Sequence, residues 1–190
     1  MLKQHKKQSW FRSWGVPVVI GVAIALALRT WVFSLSEVPS SSMYPTIPAL
    51  NQSHPSYIFV NDLATELGQI HRGEVVVFHF PDNPKLLFVK RVIGLPGDTV
   101  QVTPRAVYIN GKLLKESNPD IAKWNGTVVG TYHVPAGHYF MLGDNRPVSD
   151  DSRMWVHKYV ARSAIVGEAS LILYPFNKLG FISQSVSANG

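Results

Sequence analysis

From Trp14 to Leu35 the chain runs through 22 residues with a single charge, Arg29, and "VPVVIGVAIALAL" (16–28) carries none. A spanning helix needs ~20 such residues at 1.5 Å rise. Arg29 stands near the far end of the run, where its long stem can snorkel to the headgroups. Trp10, Phe11 and Trp14 on one side, and Trp31 and Phe33 on the other, suit the two interfacial belts. A cleaved leader would exit through small residues, but here Arg29, Trp31, Val32 and Phe33 follow the apolar centre. A buried core helix would not need aromatics at both ends. The expectation is an uncleaved anchor over 14–35, a basic cytoplasmic start over 1–13, and an extracytoplasmic domain over 36–190. The orientation follows from the basic flank.

Charge supports that division. The net charge is +6, but residues 1–36 hold Lys3, Lys6, Lys7, Arg12 and Arg29 and no acid. The other 13 basic and 12 acidic residues leave +1 (13 − 12), so the basicity is a tag on one end. That argues against a nucleic-acid partner. Cysteine is absent, which excludes disulfides, thiol catalysis and thiolate-bound metal. The seven His residues are scattered, with His71 and His79 flanking one strand signal and His133 and His138 a turn. No metal site and no cofactor are expected.

After residue 36 strand signals dominate. They fall at "YIFV" (57–60), "EVVVFHF" (74–80), "LLFVKRVI" (86–93), "TVQV" (99–102), "VYI" (107–109), "GTVVGTYHV" (126–134), "HYFML" (138–142) and "AIVGEASLILY" (164–174). Asn110-Gly111 between "VYI" and "KLL" reads as a tight hairpin turn. No long stretch there shows a 3.6 period, so the domain is expected to be mainly β, with antiparallel strands. "SQSVSANG" (183–190) reads as a frayed tail.

Three polar stretches can carry chemistry. "VPSSSMYPTI" (38–47) sets a serine cluster between two prolines just past the apolar run. Seven positions separate Leu35 from Ser42, a reach of at most ~25 Å. With no persuasive His partner, a serine nucleophile needs another base. Lys90 lies inside a strand signal beside Arg91, and alternation sends the two to opposite faces, so one of them faces the apolar side or lines a cleft. A buried lysine loses hydration of its charged form, and its neutral amine can take a proton from a hydroxyl. The bland reading is a lysine solvated at a strand edge. "GDNRPVSDDSR" (143–153) is either a loop of turn formers or a support that sets a hydroxyl on a lysine amine over an ion pair.

Together these stretches resemble the type I signal peptidases, membrane-anchored serine–lysine proteases that remove signal peptides from exported proteins. "PSSSMYPTI" is similar to that family's P-S-x-S-M-x-P-T-L box. "RGEVVVF" (72–78) is similar to its R-G-D-I-V-V-F strand, "KRVIGLPGD" (90–98) to its lysine box, and "GDNRPVSDDSR" to G-D-N-R-x-x-S-x-D-S-R. Ile47 replaces Leu, Glu74 replaces Asp, and residues 50–62 depart from the usual shorter Gly-Asp turn. The resemblance implies Ser42 as nucleophile and Lys90 as general base. It implies Ser40 and the Ser42 N–H as oxyanion hole, Ser149 as the group orienting Lys90, and Asp151 with Arg153 as a supporting ion pair. Val38, Met43, Ile47, Phe88 and Val89 would line shallow pockets admitting small side chains, and Ser41 would stand by. The implied fold is the family's antiparallel β-sheet domain behind one transmembrane helix. The implied partners are signal peptides of secreted preproteins and the lipid bilayer, with cleavage after an Ala-x-Ala type site, at a bacterial plasma membrane or a thylakoid.

Two other readings remain open. One is a self-cleaving serine–lysine regulator, which calls for a cleavable linker to a DNA-binding region, and none is visible. The other is a membrane-tethered β-domain that binds a partner without catalysis.

Overall fold

The structure is a computed structural model that describes residues 13–23, 33–49, 51, 53–62, 68–116, 127–183 and 186–187. Residues 13–23 are helical. Trp14, Val16, Val18, Val19, Ile20 and Val22 are all exposed on this helix, so its apolar side chains face no protein core. Among the described residues no helix is long and apolar enough to cross a membrane, and residues 24–32 of the span expected over 14–35 lie outside them.

Residues 33–35, read from the sequence as the end of the anchor, belong instead to a strand, β1 (Phe33–Val38). "FSLSEV" alternates, with Ser34, Ser36 and Val38 on one face, and period 2 is what a pleated strand requires. β1 pairs antiparallel with β2 (Ser56–Asn61) over six residues, from Phe33↔Asn61 to Val38↔Ser56. The apolar run therefore leads straight into the sheet.

The remaining strands are β3 (Val75–Phe80), β4 (Asn83–Gly94), β5 (Thr99–Val102), β6 (Val107–Ile109), β7 (Lys112–Leu113) and β8 (Lys115–Glu116). They continue as β9 (Gly130–His133), β10 (His138–Leu142), β11 (Val160–Ala161), β12 (Ile165–Tyr174), β13 (Gly180–Phe181) and β14 (Val186–Ser187). The main sheet runs β1-β2-β12-β3-β4-β10-β11, with β13 also on β12, and every pairing in it is antiparallel. A second sheet runs β7-β6-β5-β9, and β14 pairs with β8. The expected hairpin is present: Asn110 and Gly111 have φ of 52° and 79°. The stretch expected as a strand from 126 is a strand only over Gly130–His133, with 126 itself outside the described residues.

Three apolar clusters fill the interior. One gathers Met43, Ile47, Ile58, Val60, Val75 and Val89 beneath β1 to β4. Another surrounds Phe78, Met141 and Trp155. The third joins the second sheet to β10 through Val100, Ile109, Tyr132 and Phe140. Val186 belongs to this last cluster, so the C-terminal stretch read as frayed is docked at 186. It can dock because Gly73, at φ +96°, has no side chain: a Cβ there would lie 2.7 Å from Val186 Cγ2.

Candidate active site

The serine cluster leaves β1 through Pro39 and turns in a single 3₁₀ helix, Ser41–Met43. A turn this short has no acceptor of its own for the Ser42 N–H. Ser40 sits at the cap position in extended conformation and makes no capping hydrogen bond. Its hydroxyl instead lies 3.2 Å from Ser42 Oγ. Ser42 and Met43 are both buried, and the turn sends Met43 into the core beneath.

Lys90 comes from β4, opposite Val76 of β3. The first half of β4 is exposed and its second half is buried on both faces, with Lys90 4% exposed. Lys90 Nζ lies 2.8 Å from Ser42 Oγ, a hydrogen bond across 48 positions of sequence. The ammonium also stands 5.3 Å from the centre of the Phe88 ring, two residues earlier on the same face. Burial pulls the Lys90 pKa down to about 8, while the charges of Asp151, Asp150 and Asp144 pull the other way.

Alternation sends Arg91 to the other face of β4, where it is 0% exposed. Its Nε and Nη2 donate to the two carboxylate oxygens of Asp144 at 2.8 and 2.6 Å. Nη1 donates to the Gly73 and Ser183 carbonyls at 2.6 and 3.0 Å. The reading from sequence that one of the two neighbours takes the apolar side is thus surpassed: both are buried, each with a partner. A fork bonded bidentately to a carboxylate satisfies most of its donors, which is what makes burial of the charge tolerable.

The loop 143–153 then closes over the serine turn. The Asn145 N–H donates to Ser42 O and its side-chain amide to Ser41 O, both at 3.0 Å. Gly143 is the point of closest approach. A Cβ there would lie 2.1 Å from Ser149 Oγ and 2.6 Å from Ser42 O. Asp151 and Arg153 form a buried ion pair, Nε to Oδ1 at 2.8 Å. The same Asp151 accepts from the Gly143 N–H at 3.1 Å, and Arg153 donates to Arg146 O at 2.8 Å, so the pair staples the loop to itself. Arg146 in turn pairs with Glu116 of β8. Ser149 is 6% exposed, and its hydroxyl has no hydrogen-bond partner among the described residues. The expected bond from Ser149 to the Lys90 amine is therefore not made in this state.

A cleft of about 280 Å³ opens on Ser42 and Lys90. One wall is the end of β1 and the serine turn, Glu37 to Ser41. The other is Leu87, Phe88 and Val89 of β4, with Val148 and Asp150 from the loop. Of the five residues expected to line it, Val38, Phe88 and Val89 do. Met43 and Ile47 do not: both are 0% exposed and pack into the core below, Met43 from the 3₁₀ turn and Ile47 from the residues after it. Glu37, Leu87, Val148 and Asp150 were not foreseen, since nothing in their local pattern separates a cleft wall from a solvated strand edge or loop. Among the described residues no group of three or more His, Asp or Glu side chains is placed to hold a metal.

Comparison with known proteins gives the chain its kin. The family model "Signal peptidase, peptidase S26" matches residues 11–174. A signal peptidase I of Bacillus amyloliquefaciens is 37% identical over 182 residues, 92% of this chain and 91% of that protein. Signal peptidase I T of Bacillus subtilis is 35% identical over the same shares of the two chains. A signal peptidase I of Leptolyngbya laminosa is 39% identical over 85% of this chain and 78% of its own length. A solved signal peptidase I from Enterococcus faecalis, 34% identical, covers 54% of this chain and 97% of its own, with a TM-score of 0.46. The family match takes in the serine turn, the lysine strand and the loop that joins them, and on it this chain belongs to the signal peptidase, peptidase S26, family and is a serine endopeptidase.

Proposed function

We propose that this chain is a membrane-anchored endopeptidase that cleaves N-terminal signal peptides from exported preproteins, with Ser42 as nucleophile and Lys90 as general base. The observation that carries the reading is the 2.8 Å contact between Lys90 Nζ and Ser42 Oγ, made by a lysine whose pKa is pulled down to about 8. A neutral amine there takes the Ser42 proton as Oγ bonds to the scissile carbonyl carbon. The developing oxyanion accepts from the Ser42 N–H and the Ser40 hydroxyl. The Lys90 ammonium then gives its proton to the leaving amine as the C–N bond breaks. Water, deprotonated by Lys90, then attacks the acyl carbon, and the Lys90 ammonium so formed returns its proton to Ser42 Oγ as the ester C–O bond breaks. Ser149 is assigned to steady the amine through these steps, its buried hydroxyl having a donor and an acceptor to spare among the described residues.

The substrate fits as an extended chain. β1 is an edge strand of the main sheet, and β10 pairs with β4 only from Arg91 onward, so the cleft lies between two strand segments that each lack a partner on that side. A peptide in extended form can hydrogen-bond to such edges and offer alternate side chains to the wall of Val38, Phe88 and Val89. The shallow apolar wall supports cleavage after small residues of the Ala-x-Ala kind. The apolar residues of 13–23 and of the run that follows hold the chain in the bilayer, N-terminus in the cytoplasm, with the domain from β1 onward on the far side.

The test is incubation of detergent-solubilised full-length protein with a preprotein. Wild type releases the mature product, and Ser42→Ala and Lys90→Ala each lose nearly all of it, because groups that act as a unit fail as a unit. Substantial processing by either variant contradicts the dyad.

A further inference from the structure

We propose, on the proteolytic reading above, that Glu37 and Asp150 make this cleft select substrates bearing a cationic side chain near the scissile bond. The cleft lining carries three charged residues: Glu37, Asp150 and Lys90. They are unlike in kind. Lys90 is buried and bonded to Ser42, whereas both acids are exposed, one on each wall. Glu37 ends the exposed face of β1, and Asp150 follows Ser149 in the loop that closes over the serine turn.

Asp150 has an acidic neighbour in sequence that the fold uses differently. Asp151 is 0% exposed and spent on Arg153 and the Gly143 N–H. Asp150, one residue earlier, has no salt bridge and no side-chain hydrogen bond among the described residues, and neither has Glu37. Among the described residues no salt bridge neutralises either carboxylate, and the one basic group of the lining is Lys90, which the Asp150 charge reaches. Lys90 does not fill that role, because its amine must be neutral to take the Ser42 proton. In the reactive state the lining therefore carries a charge of −2.

The acidity is local. Outside the first 36 residues the chain is near neutral, with 13 basic and 12 acidic residues, so no broad field masks or mimics it. A lysine or arginine of the substrate lying within the cleft meets one carboxylate or both, and an acidic residue there meets repulsion. Charge placed at a rim acts through complementarity and exclusion of the wrong partner more than through raw affinity. For exposed pairs the expected discrimination is about threefold to tenfold for the two carboxylates together.

The experiment uses full-length protein in an uncharged detergent and one cleavable peptide varied singly, as Lys, Gln or Glu, at four positions on each side of the cleavage point. The reading is the ratio of kcat/KM for the Lys and Glu forms at each position, in wild type, Glu37→Gln, Asp150→Asn and the double variant. Because each ratio is internal to one protein, loss of folded enzyme does not alter it. The expected result is a wild-type ratio of about 3 to 10 at one or more positions. It falls toward 1 in molar salt and to within about twofold of 1 in the double variant. A wild-type ratio near 1 at every position, or a double variant that keeps the wild-type ratio, overturns the selection while leaving proteolysis intact. If even the Gln peptides are not cut, the proteolytic reading falls and this inference falls with it.

Discussion

Lys90 is costly where it stands. At 4% exposure its ammonium has lost most of its water, and its pKa is drawn from 10.5 down to about 8. That fall amounts to roughly 3 kcal/mol against the folded state when the amine is protonated. The sign follows from proton counting. Between about 8 and 10.5 the unfolded chain holds the proton and the native one does not, so this contribution to stability rises with pH there. Below about 8 both states are protonated and the full cost is present. Lys90→Met keeps the stem and removes the charge, so it should abolish processing yet be no less stable than wild type at pH 7. Denaturant midpoints measured at pH 7 and at about pH 10 should show the advantage of the variant shrinking as pH rises. A variant clearly less stable at pH 7 would mean that Lys90 is there to hold the fold. The approach of Lys90 to Ser42 was legible in the sequence through the order of its motifs. The partners of Arg91 were not, because a charged pair inside a strand signal does not say what packs on either face.

At the scale of elements, β4 does most of the positioning. One residue apart, it offers Lys90 to the cleft and Arg91 to a buried anchor that holds Asp144, Gly73 and Ser183 together. Arg91→Met leaves Asp144 as an unpaired buried carboxylate, and breaking such a pair costs about 3–5 kcal/mol. A fall in melting temperature of about 10 °C is expected. Arg91→Met with Asp144→Leu should recover part of it, since the orphaned charge is then gone. A single variant that melts with wild type would show the pair to be idle. The strands from β2 to β7, β10 and β12 could be read from β-branched runs and turn residues. β1 could not be read in full, because "FSL" continues an apolar run and only its pairing with β2 shows where the sheet starts. The docking of Ser183 and Val186, in a stretch read as frayed, was hidden for a related reason: the small polar residues around them give no strand signal, and the docking rests on Arg91 and Gly73, both distant in sequence.

For the whole molecule, the path of the chain joins its two chemistries. In sequence the apolar N-terminal run is followed at once by β1, an edge strand that ends at the serine turn, so on the anchoring proposed above the cleft would stay near the surface of the bilayer. On that reading a substrate emerging at the same surface would need no long travel to reach Ser42. The proposed activity rests on one proton transfer, from Ser42 to a neutral Lys90. The pH dependence of kcat/KM for preprotein cleavage, followed from about pH 6 to about pH 10, tests that transfer most directly. The expected profile rises about tenfold per pH unit, bends near the Lys90 value of about 8 and is flat beyond, with Lys90→Met at background throughout. A bend near the ordinary histidine value of about 6.5, with Lys90→Met still processing, would contradict it.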